Sequence, residues 1–173
     1  MVDAASYAAV ERLRDGRPVE IRALRPEDET EFVAAVGRIS GPSLYRRFFA
    51  VRREFSDKER AFFVNVDFIN HVALVVVVVE NGRAAIVGSG RYVVVRPGTA
   101  ELAFAVVDDF QGQGMGTLLL RHLVLIARAA GLKSLIAEVL PENAAMLKVL
   151  KSSGLGVTTK RQDGVVHVAL EIV

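Results

Sequence analysis

Cysteine is absent from this chain of 173 residues. That excludes a disulfide scaffold, a cysteine-ligated zinc and a cysteine nucleophile. Charge of one sign is also lacking. A net charge of +2 gives no argument for nucleic acid as a partner. Met1 is not followed by a charged-then-apolar signal segment. The longest apolar run, Val72–Val79, is too short to span a membrane, so the expectation is a soluble, cytoplasmic protein with no membrane partner. The three histidines, His71, His122 and His167, form no metal-ligand spacing. No Ser-His-Asp arrangement is suggested either. Repeats and low-complexity tracts are missing. What remains is an ordinary globular composition, 51% hydrophobic and 24% charged, long enough for one domain with a sizeable core.

The punctuation of the chain then sets its elements. Residues 1–18 read as a short helix or loose leader, and residues 19–173 as the main domain. "PVEIRAL" is a first strand, ended by Pro26. "PEDETEFVAAVGRI" has acidic residues first and apolar residues later, as a helix does. "GPSLYRRFF" suggests a second short helix. "SDKERAFFVNV" suggests a third, opened by a Ser56–Glu59 capping box. In "HVALVVVVVENGRAAIVGSGRYVVV" two β-branched runs flank Asn81–Gly82, a strong hairpin signal. The valines do not alternate with polar residues, so that strand is expected to be covered on both faces. "AELAFAVVDDF" and "SLIAEVL" are further strands. Helices are expected from about Gly114 to Ala130 and over "ENAAMLKVLKSS". "LGVTTK" and "VVHVALEIV" flank a last turn, "QDG". The fold class is α/β (α+β), with helices interrupting a sheet that is partly antiparallel.

The stretch Gln111–Gly116, "QGQGMG", stands between a strand and a helix. Helix N-termini carry unpaired N–H groups and partial positive charge, and a glycine-rich entry lets a phosphate approach them closely. The physical reading is an anion site, most plausibly for a phosphate or pyrophosphate; the alternative is a tight strand-to-helix crossing without a ligand. A P-loop is excluded, because Thr117 and Leu118 follow Gly116 where Lys and Ser or Thr are needed. A dinucleotide fingerprint fits poorly, because Thr117 falls at its third glycine and the preceding strands are hairpin-linked.

A third pattern fits. "QGQGMG" has the form Gln/Arg-x-x-Gly-x-Gly/Ala, with Gln111, Gly114 and Gly116 in the set places. It resembles the acyl-CoA loop of the GCN5-related N-acetyltransferase (GNAT) family. "ELAFAVVDDF" before it and "ENAAMLKVLKSSGL" beyond it fall in the family's order and spacing, over roughly residues 19–173. Within the family, "SGPSLYRRFF" and "AELAFAVVDDFQGQGMG" resemble segments of the Pat-type bacterial protein lysine acetyltransferases that modify acyl-CoA synthetases.

The resemblance implies the GNAT fold, a mixed and mostly antiparallel sheet flanked by helices, with acetyl-CoA as cosubstrate and no metal. It implies that backbone amides of Gly112, Gln113, Gly114, Met115, Gly116 and Thr117 hold the pyrophosphate, with Gln111 part of the motif. The strand end at Val106 and Val107 would pair with the pantetheine arm. Asn143 would contact the cofactor, with a helix cap as its other reading. The family often has a tyrosine seven residues later as acid toward the leaving thiolate; this chain has Leu150.

The acceptor chemistry can be asked independently. With no cysteine, acyl transfer must use another nucleophile or go directly to the acceptor. A lysine amine of pKa ~10.4 costs about 4.6 kcal/mol to present neutral at pH 7, so the reaction needs a proton acceptor. Glu101 opens an otherwise apolar strand, where partial burial would raise its pKa into a useful range. The family places a glutamate base there; the other reading is a solvated strand-edge residue. The expected activity is direct transfer to an amine, most plausibly a protein lysine, for example of an acyl-CoA synthetase. Small-molecule amine acetylation and non-catalytic acyl-CoA sensing are the alternatives. His122 and Arg121 are expected on the solvent stripe of their helix.

Overall fold

Two turns of the same chemistry fix much of the sheet. Asn81 and Gly82 both have positive φ, 51° and 76°, as do Asp163 and Gly164, 53° and 74°. Two successive left-handed residues make the tight turn whose twist matches paired strands. The first joins β3 (His71–Glu80) to β4 (Arg83–Arg96), and the second joins β7 (Gly156–Gln162) to β8 (Val165–Glu171). The computed structural model describes residues 2–38 and 56–173.

Within those residues the remaining strands are β1 (Ala8–Arg12), β2 (Pro18–Ala23), β5 (Thr99–Val106) and β6 (Ser134–Val139). The helices are α1 (Glu29–Gly37), α2 (Asp57–Val64), α3 (Met115–Ala129) and α4 (Ala144–Lys151). The eight strands form one sheet in the order β1-β2-β3-β4-β5-β6-β8-β7. Every neighbouring pair is antiparallel except β5–β6. The expected mixed, mostly antiparallel sheet with flanking helices is therefore observed. The expected helix at "GPSLYRRFF" and the Glu59 side chain of the expected capping box lie outside the described residues. Among the described residues, no helix is long and apolar enough to cross a membrane.

The valine run behaves as its lack of alternation requires. Val72, Val75 and Val76 are fully buried, because β3 lies between β2 and β4 with both faces covered. Only its end emerges, with Val79 at 72% exposure beside the turn. On one face α3 packs against β4. Met115, the first residue of that helix, rests directly on Gly88, where an added Cβ would stand 2.3 Å from its sulfur. α1 and α2 cover the other face, where Phe32 and Phe63 stack on the buried guanidinium of Arg91.

The expected leader over residues 1–18 is corrected. A 3₁₀ turn (Ala4–Ser6) leads into β1, an edge strand paired antiparallel to β2 from Ala8↔Arg22 to Arg12↔Pro18. His122 is corrected with it. It is buried, not on a solvent stripe. Its Nε2–H donates to the Glu11 carboxylate at 2.8 Å, and its Nδ1 is hydrogen-bonded to the Tyr7 hydroxyl. Arg121 donates to the same Glu11 oxygen at 2.7 Å. The hydrogen bond from His122, helped by Arg121, holds the Glu11 carboxyl below its ordinary range. A polar clamp, rather than apolar burial, thus fastens the edge strand to α3.

Candidate active site

The site begins where two strands part. β5 and β6 are paired at Thr99↔Ser134, Ala100↔Leu135 and Glu101↔Ile136. Pairing then stops, although β5 continues to Val106 and β6 to Val139. The gap opens into a groove of about 750 Å³.

Backbone groups of a strand alternate between its two edges. Val107 N–H donates to the Val87 carbonyl at 2.9 Å, toward β4. Val106 therefore turns its own amide and carbonyl to the gap. Its carbonyl is taken by the Gln111 side-chain amide at 3.1 Å, so Gln111 fixes the loop against the strand end. Val107 is corrected by the same geometry. Its N–H is spent on Val87, its carbonyl accepts from Phe110 N–H at 2.9 Å, and the residue is buried outside the groove.

A 3₁₀ turn (Asp108–Phe110) then delivers the glycine stretch. Gly114 has φ 83° and is the N-cap of α3, without a side-chain cap. A glycine is suited to this left-handed position, and the missing cap side chain leaves the first-turn N–H groups facing the groove. Gly112, Gly114, Met115, Gly116 and Thr117 all line it. Gln113 does not; its Oε1 accepts from Asp15 N–H at 3.1 Å, turning the side chain toward the β1–β2 turn.

The opposite wall is α4. Asn143 caps this helix, its Oδ1 accepting from Met146 N–H at 3.2 Å, and it lines the groove. The cap role read from sequence is thus present. Leu150 is fully buried in the core. The groove face of α4 carries Met146 and Val149, with Lys148 beside them and Ser152 at the C-cap. Among the described residues lining the groove, none is a tyrosine.

Glu101, the last position of β5 paired with β6, lines the groove where the strands part. The partial burial expected for it is not found, since Glu101 is exposed. It shares a face of β5 with Ala103 and Ala105, whose small side chains leave room beside it. Across the ladder, Arg91 lies opposite Ala103. Arg91 donates to the Phe63 carbonyl and to His71 Nε2, each at 3.0 Å. Burial, then the Arg91 charge, push His71 down to about 4. Sequence reasoning missed this buried pair, which ties α2 to the sheet next to the groove.

Comparisons with known proteins agree with this geometry. Residues 41–155 match the Acetyltransferase (GNAT) family. Acetyltransferase PA5475 of Pseudomonas aeruginosa is 34% identical over 138 residues, which are 79% of this chain and 74% of that protein. Acetyltransferase Pat of Mycolicibacterium smegmatis is 32% identical over 166 residues, 93% of this chain but 48% of that protein, so the chain spans about half of Pat's length. The crystal structure of the GNAT domain of S. lividans PAT superposes with a TM-score of 0.85 at 33% identity, covering 95% of this chain and 96% of that one. The structure of yncA from Salmonella typhimurium with acetyl-CoA shares the fold, with a TM-score of 0.71 at 22% identity over 90% of this chain and 94% of that one. The chain belongs to the GNAT acetyltransferase family. Members of that family use acetyl-CoA, and this protein is an acetyltransferase of that type.

Proposed function

We propose that the protein transfers an acetyl group from acetyl-CoA directly to the side-chain amine of a protein lysine, with Glu101 as the proton acceptor. One observation carries the reading. The unpaired edge of β5, the bare start of α3 and Glu101 all open onto the same groove. The protein-lysine part is supported by likeness to the relatives named Pat.

The residues present fit coenzyme A, which supplies the acetyl group as a thioester. First-turn amides of Met115, Gly116 and Thr117, with those of Gly112 and Gly114, would hold the pyrophosphate at the positive end of α3. The Val106 amide, turned to the gap, would pair with the pantetheine arm and keep it extended. The Asn143 carboxamide uses its oxygen as the cap and has its N–H₂ to offer the cofactor.

Glu101 takes a proton from the incoming ammonium group, directly or through a water; the neutral amine then forms the amide bond as the carbon–sulfur bond breaks, and the second proton that the nitrogen sheds on becoming an amide leaves to solvent. Because Glu101 is exposed, an acceptor protein closing over the groove would itself supply the desolvation that raises a carboxylate's basicity. Leu150 is buried in the core and carries no acidic group, so the proton taken up by the departing thiolate comes from elsewhere than this position.

Incubation with acetyl-CoA and a lysate of the source organism, followed by mapping of acetylated lysines, tests the reading. The parent should modify discrete lysines. Glu101→Gln should keep its affinity for acetyl-CoA and lose turnover by roughly 10²–10⁴-fold, the loss shrinking as pH rises toward the pKa of the acceptor. Turnover of the variant at the parental rate, with chemistry rate-limiting, removes Glu101 from the mechanism. Acetylation of small amines but of no protein lysine removes the protein acceptor.

A further inference from the structure

The glycine loop is not bounded by the groove alone. On its outer side lies the turn that joins β1 to β2, contributed from 98 residues earlier in the chain. Arg14 N–H donates to the Gln113 carbonyl at 3.1 Å. Arg14 Nη1 donates to the Gly112 carbonyl at 3.1 Å. Asp15 N–H takes the Gln113 side chain. The Arg14 side chain then runs over Gly114, where a Cβ would meet Nε at 3.5 Å and Cγ at 3.7 Å. Arg14 lines the same groove as the loop amides.

We infer that Arg14 is a further cofactor ligand, a guanidinium that grips the pyrophosphate from the side opposite the α3 amides. The inference rests on the reading of the groove as the coenzyme A site. A guanidinium has five N–H donors in a fixed fork. One is used on Gly112, and that bond aims the rest of the group at the glycine turn. Among the described residues Arg14 forms no ion pair, whereas its neighbour Arg17 is paired with Asp15 at 3.8 Å. The loop offers neutral N–H groups and a partial charge. Arg14 adds a full charge and a planar, two-toothed contact that suits phosphate oxygens. The turn is thereby a working part of the site, and the contacts to Gln113 are what hold it there.

Binding is measured by calorimetry with coenzyme A and 3′-dephospho-coenzyme A, and turnover with S-acetyl-pantetheine, which has no pyrophosphate. Arg14→Ala should weaken both nucleotides by a similar factor, roughly 10–150-fold for a lost charged hydrogen-bonding group, and leave kcat/KM for S-acetyl-pantetheine unchanged. Arg14→Lys should recover only part of the affinity, because it keeps the charge and loses the fork. Undiminished affinity in Arg14→Ala overturns the assignment. So does a loss confined to coenzyme A, which would put Arg14 on the 3′-phosphate, and so does an equal loss with S-acetyl-pantetheine, which would make its role structural. A parent that binds neither nucleotide overturns the reading of the groove itself, and this inference with it.

Discussion

A buried histidine that accepts a hydrogen bond from a buried arginine has little room for a proton. Arg91 can only donate, so His71 Nε2 must be bare, and protonation would set a second charge against the first. Asp67, whose carboxylate accepts the N–H groups of Ile69, Asn70 and His71, opposes this only partly. The folded pKa of about 4 lies below the ordinary 6.5. Between those values the unfolded chain binds a proton that the native one refuses, so stability falls as pH drops from about 6.5 to about 4 and the effect levels off below. The whole contribution is on the order of 3 kcal/mol. Urea unfolding at pH 7 and at pH 4.5 should show this loss in the parent. His71→Gln, which can still accept from Arg91 but does not titrate, should show a shallower decline; equal declines would assign the acid sensitivity elsewhere. Such pairs are illegible in sequence. His71 stands at the start of a valine run and Arg91 is 20 positions away, and only the strand register brings them together. His122 misleads for the same reason. Its partners, Tyr7 and Glu11, lie more than a hundred positions earlier, so a polar residue on an apolar helix looks like a solvent mark.

At the scale of the element, α3 is bracketed by two left-handed glycines, Gly114 and Gly131, each with φ 83°. A residue with a Cβ at either place costs about 1–2 kcal/mol of backbone strain. Only Gly114 borders the groove; a Cβ at Gly131 would meet nothing within 4 Å. Gly131→Ala and Gly114→Ala should therefore lower the unfolding midpoint comparably, whereas Gly114→Val should in addition cut affinity for coenzyme A. Calorimetry and thermal unfolding of the folded variants separate the two effects. Affinity in Gly114→Val equal to that in Gly131→Ala would remove the loop from the cofactor site. Elements with their own punctuation were readable before the structure. Asn81–Gly82, Asp163–Gly164 and the glycines around α3 declared themselves through turn chemistry. β1 did not. "AAVER" has two alanines and two charges in five residues, and it is a strand because β2 offers an edge and α3 offers His122. Val107 was misplaced for a finer reason. Strand existence is written in composition, but the edge to which each amide points is a one-residue phase set by the pairing with β4.

Across the whole molecule, the groove divides the sheet into β1–β5 on one side and β6, β8 and β7 on the other. Three paired positions of parallel strand join the two parts. A ligand lying in the gap stitches them. At a hundred times its Kd such a ligand adds about 2.7 kcal/mol of stability, which for a chain of this size is a rise in Tm of roughly 5–10 °C. Coenzyme A should produce that rise, together with slowed hydrogen exchange at the unpaired ends of β5 and β6. A midpoint indifferent to saturating coenzyme A would place the ligand off the seam. The same division bears on how the protein is made. From β1 through β5 each strand pairs with the one before it, so this half can assemble in the order in which it leaves the ribosome. The glycine loop follows immediately, yet its opposite wall, β6 and α4, is still unsynthesised. During translation the protein thus passes through an interval in which its glycine loop exists and the groove that the loop borders does not. Nascent chains stalled just after α3 should fail to be retained on immobilised coenzyme A, and release of the remaining residues, not of the loop, should mark the moment at which the cofactor is captured.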